Sequence, residues 1–218
     1  MNIGVVIACA GEGKRLGKDK SILSLKGKPL FWYAVNTFQK IRKIKQIVLV
    51  LKKKHFKLAK KLIKNKKVSL VKGGREREDS VYNGLFNLKK DIDYVLIHDG
   101  ARPFVSKELI LRIIKNLRKY SAVICGIKTR DTLKIVEGGF VKKTLKRENI
   151  YLIQTPQGFK KNLILSAYKS KKKKIYDDAQ SLEIMGKKIK IVEGDIFNFK
   201  ITYPEDLYLA KVIGNERL

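Results

Sequence analysis

Short, unbroken apolar runs recur along this chain with amphipathic stretches between them, and that rhythm limits the folds open to it. Ile3 to Ala8, Gln46 to Leu51, Val68 to Val71, Val95 to Ile97 and Ala122 to Cys125 each read as a strand covered on both faces. Between them lie helical patterns. One runs from Leu30 to Ile41, with Pro29 at a permitted first-turn position. A lysine-rich helix follows Leu51. Another places Leu109, Ile110, Ile113, Ile114 and Leu117 on one face, with Ser106 as its cap and Val105 and Ile110 as a hydrophobic staple. This alternation predicts a doubly wound α/β fold with a mostly parallel sheet. No internal repeat or low-complexity linker divides the 218 residues, so one domain over 1–218 is expected.

Residues Lys128 to Glu148 break the rhythm. Leu133, Ile135, Val141 and Leu145 alternate around Gly138-Gly139, which predicts a β-hairpin at about 128–148. It is either an arm or lid standing off the sheet or a plain surface hairpin. The chain then returns through Tyr151-Leu152-Ile153, a helix from about Lys161, a second from about Asp178 and a strand from Lys188 to Val192. Thr202-Tyr203-Pro204-Glu205 reads as a capping box opening a last helix.

In open α/β sheets ligands bind beyond the C-terminal strand ends, so those ends hold the candidate site. The first run leads into Ala8-Cys9-Ala10-Gly11-Glu12-Gly13-Lys14-Arg15-Leu16-Gly17, with Lys20 just beyond. Its glycines let the backbone approach a ligand closely, and its amides together with Lys14, Arg15 and Lys20 suit a phosphate. The alternative is an ordinary strand-to-helix turn with surface lysines. Gly11, Gly13 and Gly17 are spaced one residue too widely for the dinucleotide fingerprint, and Arg15 stands where a P-loop needs Ser or Thr. Two other runs deliver Gly73-Gly74-Arg75-Glu76-Arg77-Glu78-Asp79-Ser80 and His98-Asp99-Gly100-Ala101-Arg102-Pro103. Glycines, arginines and one aspartate thus converge on one edge of the sheet.

Charge bears on the partner. Fifty Lys and Arg against twenty Asp and Glu leave +30, which would draw in a polyanion. The lysines fall in solvated runs such as Lys52-Lys53-Lys54 and Lys171 to Lys174, with no basic arm, zinc finger or aromatic string, which argues against nucleic-acid binding. Cys9, Cys125, His55 and His98 are the only residues of their types, which excludes a disulfide framework and a zinc cluster of Cys and His. No apolar run approaches the ~20 residues that span a bilayer, so no membrane partner is expected. The N-terminal run leads into a strand and glycine loop, not a cleavage site, so a cytoplasmic protein is expected.

Taken in order, several blocks resemble the 2-C-methyl-D-erythritol 4-phosphate cytidylyltransferases of the non-mevalonate isoprenoid pathway. They are Ala10 to Arg15 with Lys20; Gly73-Gly74 with Arg77, Asp79 and Ser80; His98 to Phe104; Arg130 to Lys134; Thr155-Pro156-Gln157; and Lys200 to Leu207. The resemblance implies a Rossmann-like nucleotidyltransferase fold. It implies transfer of a cytidylyl group from CTP to the sugar-alcohol phosphate by in-line attack on the α-phosphorus, with Mg2+ or another divalent cation. It assigns Arg15 and Lys20 to the triphosphate and transition state, and Arg147 and Lys200 to positioning the acceptor phosphate. Ala8, Cys9, Ala10, Gly11, Gly74, Arg77, Ser80, Asp99 and Gly100 would meet the nucleotide. Asp99, Arg102, Thr132 and Tyr176 would complete the acceptor site, with Asp99 also at the metal. A homodimer clasped by the β-arm is implied, with Thr132 and Arg147 acting across it.

The chain departs from the family pattern at Cys9 and Gly100, where alanine is common, and at Asp19 and Ser21 on either side of Lys20. It departs again at Tyr176, where a small hydroxyl residue is usual. Ribitol 5-phosphate cytidylyltransferases share the chemistry. They usually carry Ser-Val in place of Gly100-Ala101 and threonine in place of Ser80, so the methylerythritol acceptor is preferred. A basic nucleic-acid-binding protein on the same scaffold is the reading from another class.

Overall fold

A computed structural model describes residues 1–11, 19, 22–170 and 175–217. The apolar runs become strands β1 (Ile3–Ala8), β4 (Ile44–Leu51), β5 (Val68–Lys72), β6 (Tyr94–Asp99) and β7 (Ala122–Lys128). With β10 (Tyr151–Lys160) and β11 (Lys190–Glu193) they form a seven-stranded sheet in the order β11-β7-β10-β6-β1-β4-β5. Neighbours run parallel except β10, which is antiparallel to both β6 and β7. The sheet is therefore mostly parallel, as the apolar runs predict.

Side-chain alternation along β1 explains the layers. Ile3, Val5 and Ile7 enter a core cluster with α1 (Leu30–Gln39), the short α2 (Phe56–Leu62) and α4 (Lys107–Asn116). Val6 enters the opposite cluster, with α3 (Arg77–Phe86) and α5 (Lys161–Lys169). Helices thus cover both faces, as a doubly wound fold requires. A smaller cluster of Leu23, Leu25, Leu30, Tyr33, Phe104, Ile201 and Ala210 seats the last helix, α7 (Pro204–Arg217), beside the short pair β2 (Ser24–Leu25) and β3 (Lys28–Pro29).

Local signals hold with some shifts of register. Ser106 Oγ accepts from the Leu109 amide at 3.2 Å and caps α4, with Val105 and Ile110 buried in one cluster. Pro29 is the N-cap of α1 and not its first helical residue. The capping box of α7 moves by one position. Asp206, not Glu205, accepts from the Thr202 and Tyr203 amides, at 2.7 and 2.8 Å, because Pro204 is the first helical residue and Asp206 the third. The helix expected from about Asp178 is a short α6 (Gln180–Glu183), and the strand expected from Lys188 starts at Lys190.

The hairpin stands as its own two-stranded unit, β8 (Leu133–Glu137) paired with β9 (Phe140–Leu145). Gly138 and Gly139 have φ of 58° and 85°, the left-handed turn that only glycine makes cheaply. Phe140 is 82% exposed and Val141 62%, so the arm carries uncovered apolar side chains. Among the described residues no helix is long and apolar enough to cross a membrane.

Candidate active site

The site is built where β1 and β6 end together. Ala8 and Asp99 are register partners, and the Cys9 amide continues onto β4 through Val50 O at 2.9 Å. From β5 the chain turns at Gly73. A Cβ there would lie 2.1 Å from Ala10 Cβ, so the two strand ends touch only because residue 73 is glycine. Ser80 is buried behind this turn. Its hydroxyl accepts from the Gly74 amide at 3.1 Å and donates to Glu76 O at 3.1 Å. Ser80 therefore shapes the Gly74 backbone from behind. Glu76 and Asp79 form a reciprocal capping box on α3 that aims its first residue, Arg77, at Asp99.

Asp99 is the electrostatic centre. Arg77 Nε donates to its Oδ1 at 2.9 Å, Lys200 Nζ lies 2.8 Å from its Oδ2, and Arg102 Nε lies 3.8 Å from the same oxygen. Burial alone would raise its pKa, but Lys200, Arg77 and Arg102 hold it well below the usual carboxylate range. Arg77 NH1 and NH2 each donate to Asp178 in a two-bonded fork, at 2.9 and 2.7 Å. Burial opposes the Arg77 charge, but Asp178 and Asp99 outweigh it and keep the guanidinium well above its ordinary range. Asp178 is fully buried and also accepts from Tyr168 OH at 2.5 Å. Arg77, assigned to the nucleotide from the sequence, is thus held by two carboxylates.

Beneath Asp99 a hydrogen-bond chain fixes one histidine tautomer. The Asp99 amide donates to Thr155 Oγ1 at 3.0 Å, and that oxygen lies 3.1 Å from His98 Nδ1. His98 Nε2 lies 3.2 Å from the Arg102 carbonyl, which can only accept, so Nε2 carries the proton and Nδ1 accepts from Thr155. Burial lowers the His98 pKa to about 4, so the ring is neutral. Arg102 NH1 donates to Asn198 O at 2.7 Å, and the Ile201 amide donates to Ala101 O at 2.9 Å. These bonds bring the segment carrying Lys200 against the Asp99 turn.

Asp99, Arg102 and Lys200 thus meet; Ala8 pairs with Asp99, Gly100 packs on Cys9, and Ala10 packs on Gly73, next to Gly74, while Gly11 is exposed. Arg15 and Lys20 lie outside the described residues. Thr132 and Arg147 are exposed on the arm, where Arg147 donates to its own arm at Arg130 O. Among the described residues neither forms a hydrogen bond or ion pair with the Asp99 cluster. Tyr176 is 96% exposed, its amide held by Gln180 Oε1 at 2.7 Å. Two of the sequence departures prove to be one feature. A Cβ on Gly100 would lie 1.8 Å from Cys9 Sγ, so the larger residue at 9 fills the space the smaller one at 100 leaves.

Both cysteines are buried, and burial pushes their thiols up, Cys125 to about 12, so neither is poised as a nucleophile. Among the described residues no three His, Cys, Asp or Glu side chains converge on a metal position. Asp99 is the carboxylate of this cluster that a divalent cation would have to meet, and its oxygens face Arg77, Lys200 and Arg102.

A family profile described as 2-C-methyl-D-erythritol 4-phosphate cytidylyltransferase matches residues 3–216. The chain belongs to that family. A Clostridium botulinum protein of that name is 42% identical over 219 residues, covering 96% of each chain. Among solved structures, 4-diphosphocytidyl-2C-methyl-D-erythritol synthase from Anaerococcus prevotii superposes with a TM-score of 0.89 at 34% identity, covering 98% of this chain and 96% of that one. The Thermus thermophilus cytidylyltransferase gives 0.84 at 30% identity, covering 99% and 100%. The cytidylyltransferase family accounts for the ordered blocks and for the doubly wound sheet alike.

Proposed function

We propose that this chain, as a cytoplasmic enzyme, transfers the cytidylyl group of CTP to 2-C-methyl-D-erythritol 4-phosphate and releases pyrophosphate. The observation that carries the mechanism is one carboxylate, Asp99, surrounded by Lys200, Arg77 and Arg102 at the strand edge that leads into the glycine turn. An acceptor phosphate is already ionised at neutral pH, so the in-line attack needs no general base. What it needs is positioning and charge stabilisation. Lys200 is half-exposed and can turn from Asp99 to an acceptor phosphate. Arg102 lines the same edge, its Nε buried without a hydrogen-bond partner. Arg15 and Lys20 are assigned to the triphosphate and the pentacoordinate transition state. Magnesium, when bound, would neutralise phosphate charge beside Asp99.

The exposed arm supports a homodimer in which Thr132 and Arg147 of one chain complete the acceptor site of the other. Phe140, Val141, Val136 and Ile135 are the exposed apolar side chains such a clasp could bury.

The test is pyrophosphate release with each of the four nucleoside triphosphates, using methylerythritol phosphate and ribitol phosphate as acceptors. CTP with the methylerythritol acceptor is expected to be fastest by orders of magnitude. Preference for ribitol phosphate would move the enzyme to the neighbouring activity, and no turnover with any pair would remove the proposal. Lys20→Ala and Arg15→Ala should each cut turnover by orders of magnitude in a folded protein.

A further inference from the structure

We infer that Asp178 is a positioning residue for this reaction: it holds Arg77 on Asp99, so that Arg77 orients that carboxylate and is kept from binding a substrate phosphate itself. The guanidinium is engaged on both of its useful edges. NH1 and NH2 reach the two oxygens of Asp178 at 2.9 and 2.7 Å, and Nε reaches Asp99 Oδ1 at 2.9 Å. An arginine grips a phosphate with two parallel N–H bonds, end-on from its terminal nitrogens or side-on from Nε and one of them. The fork occupies the first edge, and the bond to Asp99 occupies the Nε of the second. Arg77 can grip a phosphate in this way only by releasing one of its carboxylates.

Asp178 resists that release. Its side chain is fully buried, and Oδ1 also accepts from Tyr168 OH at 2.5 Å. Tyr168 belongs to α5 and stacks on Tyr82 of α3, with ring centroids 6.4 Å apart. The peptide between Asp178 and Ala179 is fixed at both of its polar groups. The Ala179 amide donates to Gln157 Oε1 at 3.0 Å, and the Asp178 carbonyl accepts from Ser181 Oγ at 2.7 Å. Withdrawing Arg77 would strand a buried carboxylate, which is strongly destabilising. Arg77 therefore stays where it is when an anion arrives.

What it does there follows from the softness of an aspartate. Rotation of the carboxylate about χ2 is broad and roughly two-fold, so its contacts decide where each oxygen points. Lys200 Nζ lies 2.8 Å from Asp99 Oδ2, and Arg102 Nε lies 3.8 Å from the same oxygen, beyond hydrogen-bond reach. Once Lys200 turns to the acceptor phosphate, the bond from Arg77 to Oδ1 is the one hydrogen bond left on this carboxylate among the described residues. It pins Oδ1 and so keeps Oδ2 facing the side from which Lys200 has turned. Asp178 thus acts on the site at one remove, through Arg77.

The inference rests on the reading that Lys200 leaves Asp99 for the acceptor phosphate, and the experiment separates the two. Steady-state kinetics with CTP and methylerythritol phosphate are compared for wild type, Asp178→Asn, Arg77→Met and the double variant. Each is assayed well below its melting temperature, with kcat taken per folded molecule from circular dichroism. Asp178→Asn and Arg77→Met are each expected to lose at least tenfold in kcat, with KM for CTP unchanged. The double variant should lose no more than Arg77→Met alone, because residues that act as a unit are not additive. Wild-type kcat in Asp178→Asn would overturn the inference, as would losses that simply multiply. A raised KM for CTP with kcat intact in Arg77→Met would make Arg77 a nucleotide ligand and overturn it too. Should a single variant fail to fold, the double variant removes carboxylate and guanidinium together and carries the same test of kcat against KM. Lys200→Ala with an unaltered KM for the acceptor would overturn the underlying reading and the inference with it, whereas the Asp178 and Arg77 outcomes bear on the inference alone.

Discussion

The Asp99 cluster and the β-arm carry the two halves of one proposed site, and they are built in opposite ways. Around Asp99 the charges are matched within the chain: Arg77 against Asp99 and Asp178, with Lys200 and Arg102 against Asp99. Asp99 and Asp178 are buried and their partners are partly so. On the arm, Thr132 and Arg147 are exposed, and Arg147 finds only the Arg130 carbonyl of its own hairpin. The first half is preorganised before any substrate arrives, which is where electrostatic catalysis gains most. The second half is exposed, as the proposed dimer would require. Stability and activity should therefore fail together in the cluster and separately on the arm.

The largest effect should come from Asp99→Asn. It strands Lys200 and Arg102, while Arg77 keeps its fork to Asp178, and breaking a buried ion pair by removing one partner costs about 3–5 kcal/mol. Turnover should fall on the order of a thousandfold, the scale of losing a preorganised charge contact, and Tm should fall with it. Near-normal kinetics would show that the cluster only holds the fold. Arg147→Ala should reduce turnover about a hundredfold through the acceptor while leaving Tm unchanged, as for other exposed sites. The proposed dimer gives a sharper version. Inactive Arg147→Ala and Lys200→Ala chains, mixed, should regain about a quarter of wild-type activity, since half of exchanged dimers are mixed and each keeps one intact site. No recovery on mixing would place both residues in one chain's site.

This difference also decides what could be read from the sequence. The strands β1, β4, β5, β6 and β7 were legible because each is an apolar run, buried on both faces except at the edge strand β5, which is only half-buried. Their ends exposed Asp99 and Arg102 as site residues. The antiparallel course of β10 was not legible, because an apolar triplet at Tyr151 to Ile153 carries no direction. The fork from Arg77 to Asp178 spans 101 positions, and no local pattern links them. Asp178 looked like the start of a helix, and its burial against Tyr168 and Arg77 is a tertiary fact. Arg147, by contrast, could be named only through the family resemblance, since an exposed arginine on a hairpin has no physical signature of its own.

His98 should make the buried half acid-labile where the arm is not. Burial lowers its pKa in the fold to about 4, against 6.5 for a free imidazole. Between those pH values the unfolded chain binds a proton that the folded chain does not. The stabilisation is therefore complete above pH 6.5 and is lost as pH falls through about 4, roughly 3 kcal/mol in all. His98→Asn keeps one donor and one acceptor but cannot titrate. Urea unfolding of this variant at pH 7, 5.5 and 4.5 should lose most of the wild-type slope, whereas an unchanged slope would assign the acid sensitivity to other groups.

The smallest effect tests how closely the cluster is packed, and it turns on a single methyl group. Gly100→Ala places a Cβ 1.8 Å from Cys9 Sγ, in a core position where the sulfur has only one rotatable bond with which to retreat. Overpacking of this kind costs about 1–3 kcal/mol. Cys9→Ala alone opens a small void and should cost less. The double variant removes the sulfur where it adds the methyl, so it should melt close to wild type, and the coupling between the two sites should approach the whole cost of Gly100→Ala. Thermal melts of the four chains measure it. If the two changes add, the turn after Asp99 yields freely, and the rigidity ascribed to this half of the site belongs elsewhere. If they cancel, residues 9 and 100 are one packing unit beneath the nucleotide edge, and neither can be exchanged without the other.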